Sequence, residues 1–255
     1  MTQINSKTAL VTGGSRGLGK NMALSLAQKG NDVILTYHSN RQKAEDVVAE
    51  IESLGQQAKA FQLDTRKVDR FDGFIEKTTS YLEEKTGNPN FDFLINNAGT
   101  SLHEPIAETT EEQFNQIVDI HFKGVFFLTQ AALPYLSDGG GIVNISSGLA
   151  RFSMLGSSVY GATKGAVEVL TRYQAKELGE RKITANAIAP GAIETDFSGG
   201  MVRDNPEVNA QVASMTALGR AGLRDDIGGI VAFLCTDDAR WINGQCIEAS
   251  GGMSL

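Results

Sequence analysis

The sequence predicts a single α/β domain spanning residues 1–255, built on a doubly wound parallel sheet of about seven strands. Three observations predict it. Short β-branched runs alternate with longer segments of helical period, the rhythm of parallel strands joined by right-handed crossovers. FDFLIN and GIVNISS are nearly continuous apolar runs, as central strands need when helices cover both faces. No Pro/Ser-rich linker, low-complexity tract or internal repeat divides the chain, and 255 residues suit one substantial core.

TALVT reads as the first strand, and GLGKNMALSLAQKG as the helix that follows it. DVILTY, the helical QKAEDVVAEIESLG and QAKAFQLD continue the alternation to a third strand. FDFLIN is the fourth strand, and a long helix is expected over Glu111 to Leu136. GIVNISS is the fifth strand, followed by a helix over Ser157 to Leu178. KITANAIA and a last strand near GQCIEA complete the sheet. Between them lies PGAIETDFSGGMVRDNPE, rich in Gly and turn formers. Ligands of such sheets bind beyond the carboxyl ends of strands, so this irregular stretch is expected to form a substrate lid near residues 192–215.

Apolar residues make up 41% and charged residues 21%, which excludes a disordered chain. The net charge of −7 argues against a nucleic-acid-binding surface, which requires a clustered basic excess. MTQINSKTALVTGG lacks a basic segment followed by an apolar one, and no run approaches the length of a membrane span. A cytoplasmic protein that does not enter membranes is expected. Cys235 and Cys246 have no metal-ligand spacing, so no metal is expected either.

The turn TGGSRGLGK raises two possibilities. Gly14, Gly19 and Lys20 have the GxxxxGK spacing of a phosphoryl-transfer loop, but Asn21 replaces the Ser or Thr that would ligate magnesium. FDFLIN also ends in Asn96 where that chemistry needs an Asp. Gly13, Gly17 and Gly19 instead fit a dinucleotide-binding turn. Gly13 takes the tight bend, Gly17 admits a pyrophosphate to the backbone, and Gly19 lets helix and strand close together.

Four further stretches follow: NNAG (Asn96 to Gly99), ISS (Ile145 to Ser147), YGATK (Tyr160 to Lys164) and PGAIET (Pro190 to Thr195). In this order and spacing, with TGGSRGLG, the chain resembles the short-chain dehydrogenase/reductase family, specifically its 3-oxoacyl-carrier-protein-reductase-like branch. The resemblance runs from Lys7 to the C-terminal GQCIEASGG and implies a Rossmann fold.

Tyr160 and Lys164 are four apart on an expected helix and so share one face. An ammonium beside a phenol favours phenolate, which would lower the tyrosine pKa and equip it to exchange a proton with a substrate oxygen. Ser147 stands thirteen residues before Tyr160, the separation at which the family's substrate-orienting serine matches, whereas Ser146 is expected to be structural. The resemblance also implies that Lys164 holds the nicotinamide ribose. The family pattern D-x-N-x-x-G reads DIHFKG here, with His121 at the asparagine position. His121 is expected to support a proton relay without being an essential acid.

The second strand ends in Tyr37, followed by His38, Ser39, Asn40 and Arg41, with no carboxylate to repel a 2′-phosphate. Arg16 and Arg41 are candidate cationic partners, with Ser39 and Asn40 as neutral donors. NADP(H) is therefore the expected cofactor, with NAD(H) left open. The resemblance implies that Gly13, Ser15, Gly17, Leu18 and Gly19 line the phosphates, and that Asp64 contacts the adenine. It further implies that Asn97, Ala98 and Gly99 border the adenosine ribose or brace the sheet, and that Pro190, Gly191, Ile193 and Thr195 hold the carboxamide.

A free ketone or secondary alcohol is the expected substrate. Reduction of 3-oxoacyl groups on acyl carrier protein is the alternative, weakened because SDGGG, with Asp138, stands where such enzymes carry basic residues; Arg181 remains. A nicotinamide-binding sensor without turnover would need no Ser-Tyr-Lys trio. The apolar surface of EQFNQIVDIHFKGVFFLTQAALPYL and SSVYGATKGAVEVLTRYQAKEL, with the resemblance, implies a homotetramer.

Overall fold

The computed structural model describes residues 6–255, so the first five residues of the expected 1–255 domain lie outside the described residues. Seven strands form one sheet: β1 (Thr8–Val11), β2 (Asp32–Tyr37), β3 (Ala58–Gln62), β4 (Phe91–Asn96), β5 (Leu136–Ile145), β6 (Thr184–Pro190) and β7 (Cys246–Ala249). Their order is β3-β2-β1-β4-β5-β6-β7, and every neighbouring pair is parallel. The chain steps outward from β1 to β3, then returns to the other side of β1 as β4. That reversal opens a crevice at the carboxyl ends of β1 and β4, where α/β sheets of this kind bind ligands.

The helices are α1 (Gly17–Gln28), α2 (Arg41–Ser53), α3 (Phe71–Thr86), α4 (Glu111–Val118), α5 (Gly124–Ala132), α6 (Ser158–Glu177), α7 (Met201–Asp204), α8 (Pro206–Ser214) and α9 (Asp225–Leu234). Successive strand residues face opposite sides of the sheet, so neighbours in sequence serve different cores. Val11, Leu35 and Ile95 pack with Met22 and Leu26 of α1, Val47 and Ile51 of α2, and Ile227 and Val231 of α9. Leu10, Ile34, Leu94 and Ile142 pack on the other face with Phe74 and Leu82 of α3, Leu128 of α5 and Ala175 of α6. Among the described residues, no helix is long and apolar enough to cross a membrane.

Two expectations need correction. The helix expected over Glu111 to Leu136 is broken: α4 runs into a π turn at Asp119–Lys123, α5 follows, and a 3-10 turn at Leu133–Tyr135 leads straight into β5. Pro134 has no N–H to continue the helix. A Cβ on Gly124 would stand 2.4 Å from the Thr65 carbonyl and 2.8 Å from that of Asp119, so only glycine lets the wound segment lie there. The stretch after β6, expected to be irregular, also contains α7 and α8. Asn205 caps α8 by accepting from the amides of Glu207 and Val208, with Pro206 in the first turn.

A buried polar ladder ties the sheet to α5 and α6. Asn96 Nδ2 donates to Asn144 Oδ1 at 2.9 Å and to Thr129 Oγ1 at 3.2 Å. Asn144 Nδ2 donates in turn to Thr171 Oγ1 at 2.9 Å and Gln174 Oε1 at 2.8 Å. Asn144 is fully buried, so each lost partner would leave a polar group without water. Asn144→Ala is expected to lower stability by about 2–4 kcal/mol in urea unfolding, because it strands several partners at once. A change within about 0.5 kcal/mol would show that the ladder is not cooperative.

Candidate active site

The turn between β1 and α1 has the conformation its glycines permit. Gly13 and Gly17 have φ of +67° and +55°, in the left-handed region that glycine occupies without strain. A Cβ on Gly19 would lie 2.2 Å from the Gly13 carbonyl oxygen, which accounts for the close approach of helix to turn. The amides of Gly13 and Gly14 donate to Thr36 Oγ1 and the Thr36 carbonyl at 3.0 and 2.8 Å. Asn97 Nδ2 donates to the carbonyl of Thr12 at 2.8 Å, bracing the turn from β4. Arg16 provides no side-chain cap for α1, and its first turn holds no acidic residue. The helix thus presents amides and a partial positive charge to the crevice.

The residues that suggested a phosphoryl-transfer loop have other partners. Lys20 pairs with Glu50 at 2.6 Å. Asn21 joins α1 to α9, donating to Asp225 at 2.8 Å and accepting from the Gly228 amide at 2.9 Å.

Beyond β5 the two serines part. Ser146 Oγ is buried and donates to Glu168 Oε1 at 2.7 Å. Ser147 is half-buried, accepts from the Leu149 amide at 3.2 Å, and meets the Tyr160 phenol. Lys164 is buried, and its Nζ donates to the Ile145 carbonyl at 2.7 Å while standing 5.4 Å from the centre of the Tyr160 ring. Tyr160 and Lys164 therefore share a face of α6, as their spacing predicts, and Ser147 comes to them from β5.

The π turn places His121 against this group. Its ring is buried and meets Tyr160 edge-on, with centroids 5.0 Å apart and an interplanar angle of 84°. His121 Nε2 lies 2.7 Å from the Thr100 carbonyl and 3.2 Å from the Thr100 amide. Nδ1 is buried with no hydrogen-bond partner among the described residues. A Cβ on Gly99 would stand 2.7 Å from His121 Cε1, so that glycine makes room for the imidazole.

The electrostatics depart from the expected lowering of the Tyr160 pKa. Burial pushes the phenol up to about 12, opposed by its hydrogen bond with Ser147. Burial also pushes Lys164 down to about 7, which weakens the charge that was to lower the phenol. Burial, and then the neighbouring Lys164, hold His121 well below its ordinary value. The imidazole is consequently neutral at working pH.

The remaining expected residues are placed around the crevice. Arg16 is exposed, 4.0 Å from Asp196. Tyr37 is half-buried at the end of β2, and His38 and Ser39 are exposed beside it. Asn40 caps α2 by accepting from the Lys43 amide at 3.0 Å, while Arg41 begins that helix and reaches Glu45 at 3.3 Å. Thr195, at the root of the expected lid, lies close to Gly17. Ser15 stands in the turn before α1 and Leu18 in its first turn, Ala98 follows β4, Pro190 ends β6 with Gly191 just beyond, and Ile193 bridges to Gly222. Sequence reasoning missed Arg66, which donates Nη2 and Nε to Asp64 at 2.7 and 2.9 Å. That contact draws the Asp64 carboxyl down to about 2 and competes with the adenine contact expected of it. It also missed Arg151, which binds Glu248 through two nitrogens and the carbonyls of Met253 and Ser254. A lone Arg in DTR or LARF gave no signal of either partner.

A family model described as enoyl-(acyl carrier protein) reductase matches residues 13–254. The chain belongs to the short-chain dehydrogenase/reductase family. Among similar members of this family, the 3-oxoacyl-[acyl-carrier-protein] reductase FabG of Staphylococcus aureus is 36% identical, over 98% of this chain and 99% of that protein. The reductase LugOII, which catalyses keto-reduction at C1 during lugdunomycin biosynthesis, is 38% identical with a TM-score of 0.93, and the match covers all of both chains. The angucycline C-6 ketoreductase LanV, solved with bound NADP, is 36% identical with a TM-score of 0.93, covering 98% of this chain and 96% of that one. These relatives bear out an oxidoreductase acting on carbonyl or alcohol groups.

Burial of Lys164 sets a pH dependence of stability. Its folded pKa of about 7 lies below the ordinary lysine value of 10.5, so folding costs most below about pH 7, where both states are protonated. The cost fades as pH rises toward 10.5 and the folded state sheds its proton first. Lys164→Met is therefore expected to raise the Tm of the cofactor-free protein relative to the parent by more at about pH 6 than at about pH 10. A pH-independent difference in thermal unfolding would overturn this.

Proposed function

We propose that the protein is an NADP(H)-dependent oxidoreductase that transfers a hydride between nicotinamide and a free ketone or secondary alcohol by a Ser-Tyr-Lys mechanism. The observation that carries this reading is the meeting of Ser147, Tyr160 and Lys164 beyond the carboxyl end of β5. A non-catalytic sensor would gain nothing from a buried lysine beside a phenol, which costs stability.

The residues present fit a dinucleotide. The left-handed Gly13 and Gly17 and the uncapped start of α1 form a cradle for phosphates, which Gly13, Ser15, Gly17, Leu18 and Gly19 would line. Tyr160 and Lys164 would hold the nicotinamide ribose, and Pro190, Gly191, Ile193 and Thr195 the carboxamide. Asn97, Ala98 and Gly99 would border the adenosine ribose. The bound cofactor supplies or accepts the hydride.

This chain's residues handle the proton. In the reducing direction Tyr160, kept protonated by burial, donates its phenolic proton to the substrate oxygen. Ser147 hydrogen-bonds the same oxygen as negative charge develops. The Lys164 ammonium stabilises the phenolate left behind. His121, neutral and edge-on to Tyr160, supports this arrangement as a positioning group and not as an acid.

Preference for NADP(H) rests on the absence of a carboxylate just after β2, where Ser39 and Asn40 stand, and on the exposed guanidinium of Arg16. The NADP held by LanV supports the same reading. Similarity to FabG favours the carrier-linked alternative, but Arg181 is engaged with Asp138 at 2.7 Å and with the Leu133 carbonyl at 2.8 Å, which removes the cation expected to meet an acidic carrier. Exposed Phe126 and Phe127 on α5 and Val169 and Tyr173 on α6 support a homotetramer, which light scattering would test.

NADPH oxidation should appear with a ketone panel and fall by about three orders of magnitude in Tyr160→Phe. Turnover that survives this change would sink the mechanism. Arg16→Ala should raise KM for NADPH about tenfold, equivalent to about 1.4 kcal/mol, with little effect on NADH; equal effects would overturn the 2′-phosphate assignment. His121→Asn should retain substantial turnover, and complete loss would show that the imidazole acts directly.

A further inference from the structure

We infer that the substrate is an uncharged ketone carried on or fused to an aromatic ring, and that Phe197 selects it. This rests on the oxidoreductase reading above and deepens it.

The Tyr160 ring has an aromatic neighbour on two sides. His121 is buried, so its ring belongs to the packing of the site. Phe197 is different. Its centroid lies 6.0 Å from that of Tyr160 at an interplanar angle of 53°, yet 43% of the residue remains exposed. An aromatic face is thus left open beside the phenol that meets the substrate oxygen. A planar ring attached to the carbonyl carbon would find there a partner for offset or edge-on packing.

Phe197 is held in place by its neighbours. Its amide donates to Thr195 Oγ1 at 3.2 Å, and Thr195 itself is buried. Asp196, just before it, is bound by Arg203. Ser198, Gly199 and Gly200, just after it, all have positive φ and turn the chain sharply back. The ring is therefore presented from a pinned turn.

The segment that joins Ser147 to Tyr160 is largely apolar, with the His103 ring against Gly156 and the Glu104 amide donating to the Gly156 carbonyl at 2.8 Å. FSMLGSSV, residues 152–159, connects the segment of Ser147 to that of Tyr160 without a charged residue. On it Met154 is 46% and Leu155 91% exposed, and Met201 on α7 is 49% exposed. The two arginines beside these segments are already neutralised: Arg151 by Glu248, and Arg203 by Asp196 and Asp204. A phosphate or carboxylate on the substrate would find neither free. Exposed apolar side chains flanking reactive polar groups are the usual lining of a site for an apolar ligand.

The test compares kcat/KM with NADPH for 1-tetralone, a fused aryl ketone, with those for ethyl acetoacetate and an acetoacetyl thioester. The parent enzyme should prefer tetralone by about tenfold or more. Phe197→Leu, which keeps apolar bulk and removes the ring, should lower the tetralone value about tenfold and change the other two by less than about twofold. A parent preference for either acetoacetyl compound would overturn the inference while leaving the oxidoreductase reading intact. An equal loss on all three would show that Phe197 is structural and overturn its role in selection. No Tyr160-dependent turnover on any of the three would overturn both readings.

Discussion

The site depends on one costly placement, the burial of the Lys164 ammonium between α6 and the end of β5. Its hydrogen bond to the Ile145 carbonyl fixes where the charge stands, and with it the reach to the Tyr160 ring. Burial that lowers this lysine also raises the phenol and keeps His121 neutral, so three pKa values move through one shared shell. A lysine left in solvent at the same spacing would have ordinary acidity and no defined partner. The chain tolerates the desolvation because α6 is held against the sheet by contacts that do not involve the lysine.

Those contacts are the buried amides. Asn96, Asn144, Thr171 and Gln174 lie deeper along β4, β5 and α6 than Ser147, Tyr160 and Lys164 and fix the rotation of α6 about its axis. Apolar packing alone allows small rotations, since a hydrophobic contact has little directionality. Four paired polar groups do not, because each rotation strands a donor or acceptor. Missing side chains do comparable work elsewhere: Gly19 admits the Gly13 carbonyl, Gly99 admits His121, and Gly124 admits the carbonyl of Thr65.

Much of this was legible in the residues. The succession of strands along the chain, the glycine turn and the shared face of Tyr160 and Lys164 follow from local spacing, and the distinction between Ser146 and Ser147 follows from the family resemblance. What was not legible depends on partners distant in sequence. The π turn at His121 arises where Gly124 meets Thr65, and nothing in DIHFKG announces Thr65. Arg66 takes the carboxylate of Asp64, and Arg151 ties the loop after Ser147 to Glu248 near the C-terminus. The direction of the Tyr160 shift failed for the same reason: spacing supplies the neighbouring charge, but only the packed structure supplies the desolvation that outweighs it.

Strand register joins fold to chemistry. β5 pairs with β6 through Val143 to Asn186, Asn144 to Ala187 and Ile145 to Ile188, and the Ser146 amide continues the ladder to the Ile188 carbonyl at 2.7 Å. With side chains alternating between faces, this register sends Ile142, Asn144 and Ser146 toward α5 and α6, and Val143 and Ile145 toward α1 and α9. A slip of one residue would turn Asn144 into the apolar core and bring Val143 to Thr171 and Gln174, leaving buried polar groups unpaired on both faces. It would also shift both serines by one place and move the Ile145 carbonyl away from Lys164. The polar ladder that stabilises the sheet is thus also what guarantees that Ser147, and not Ser146, reaches Tyr160.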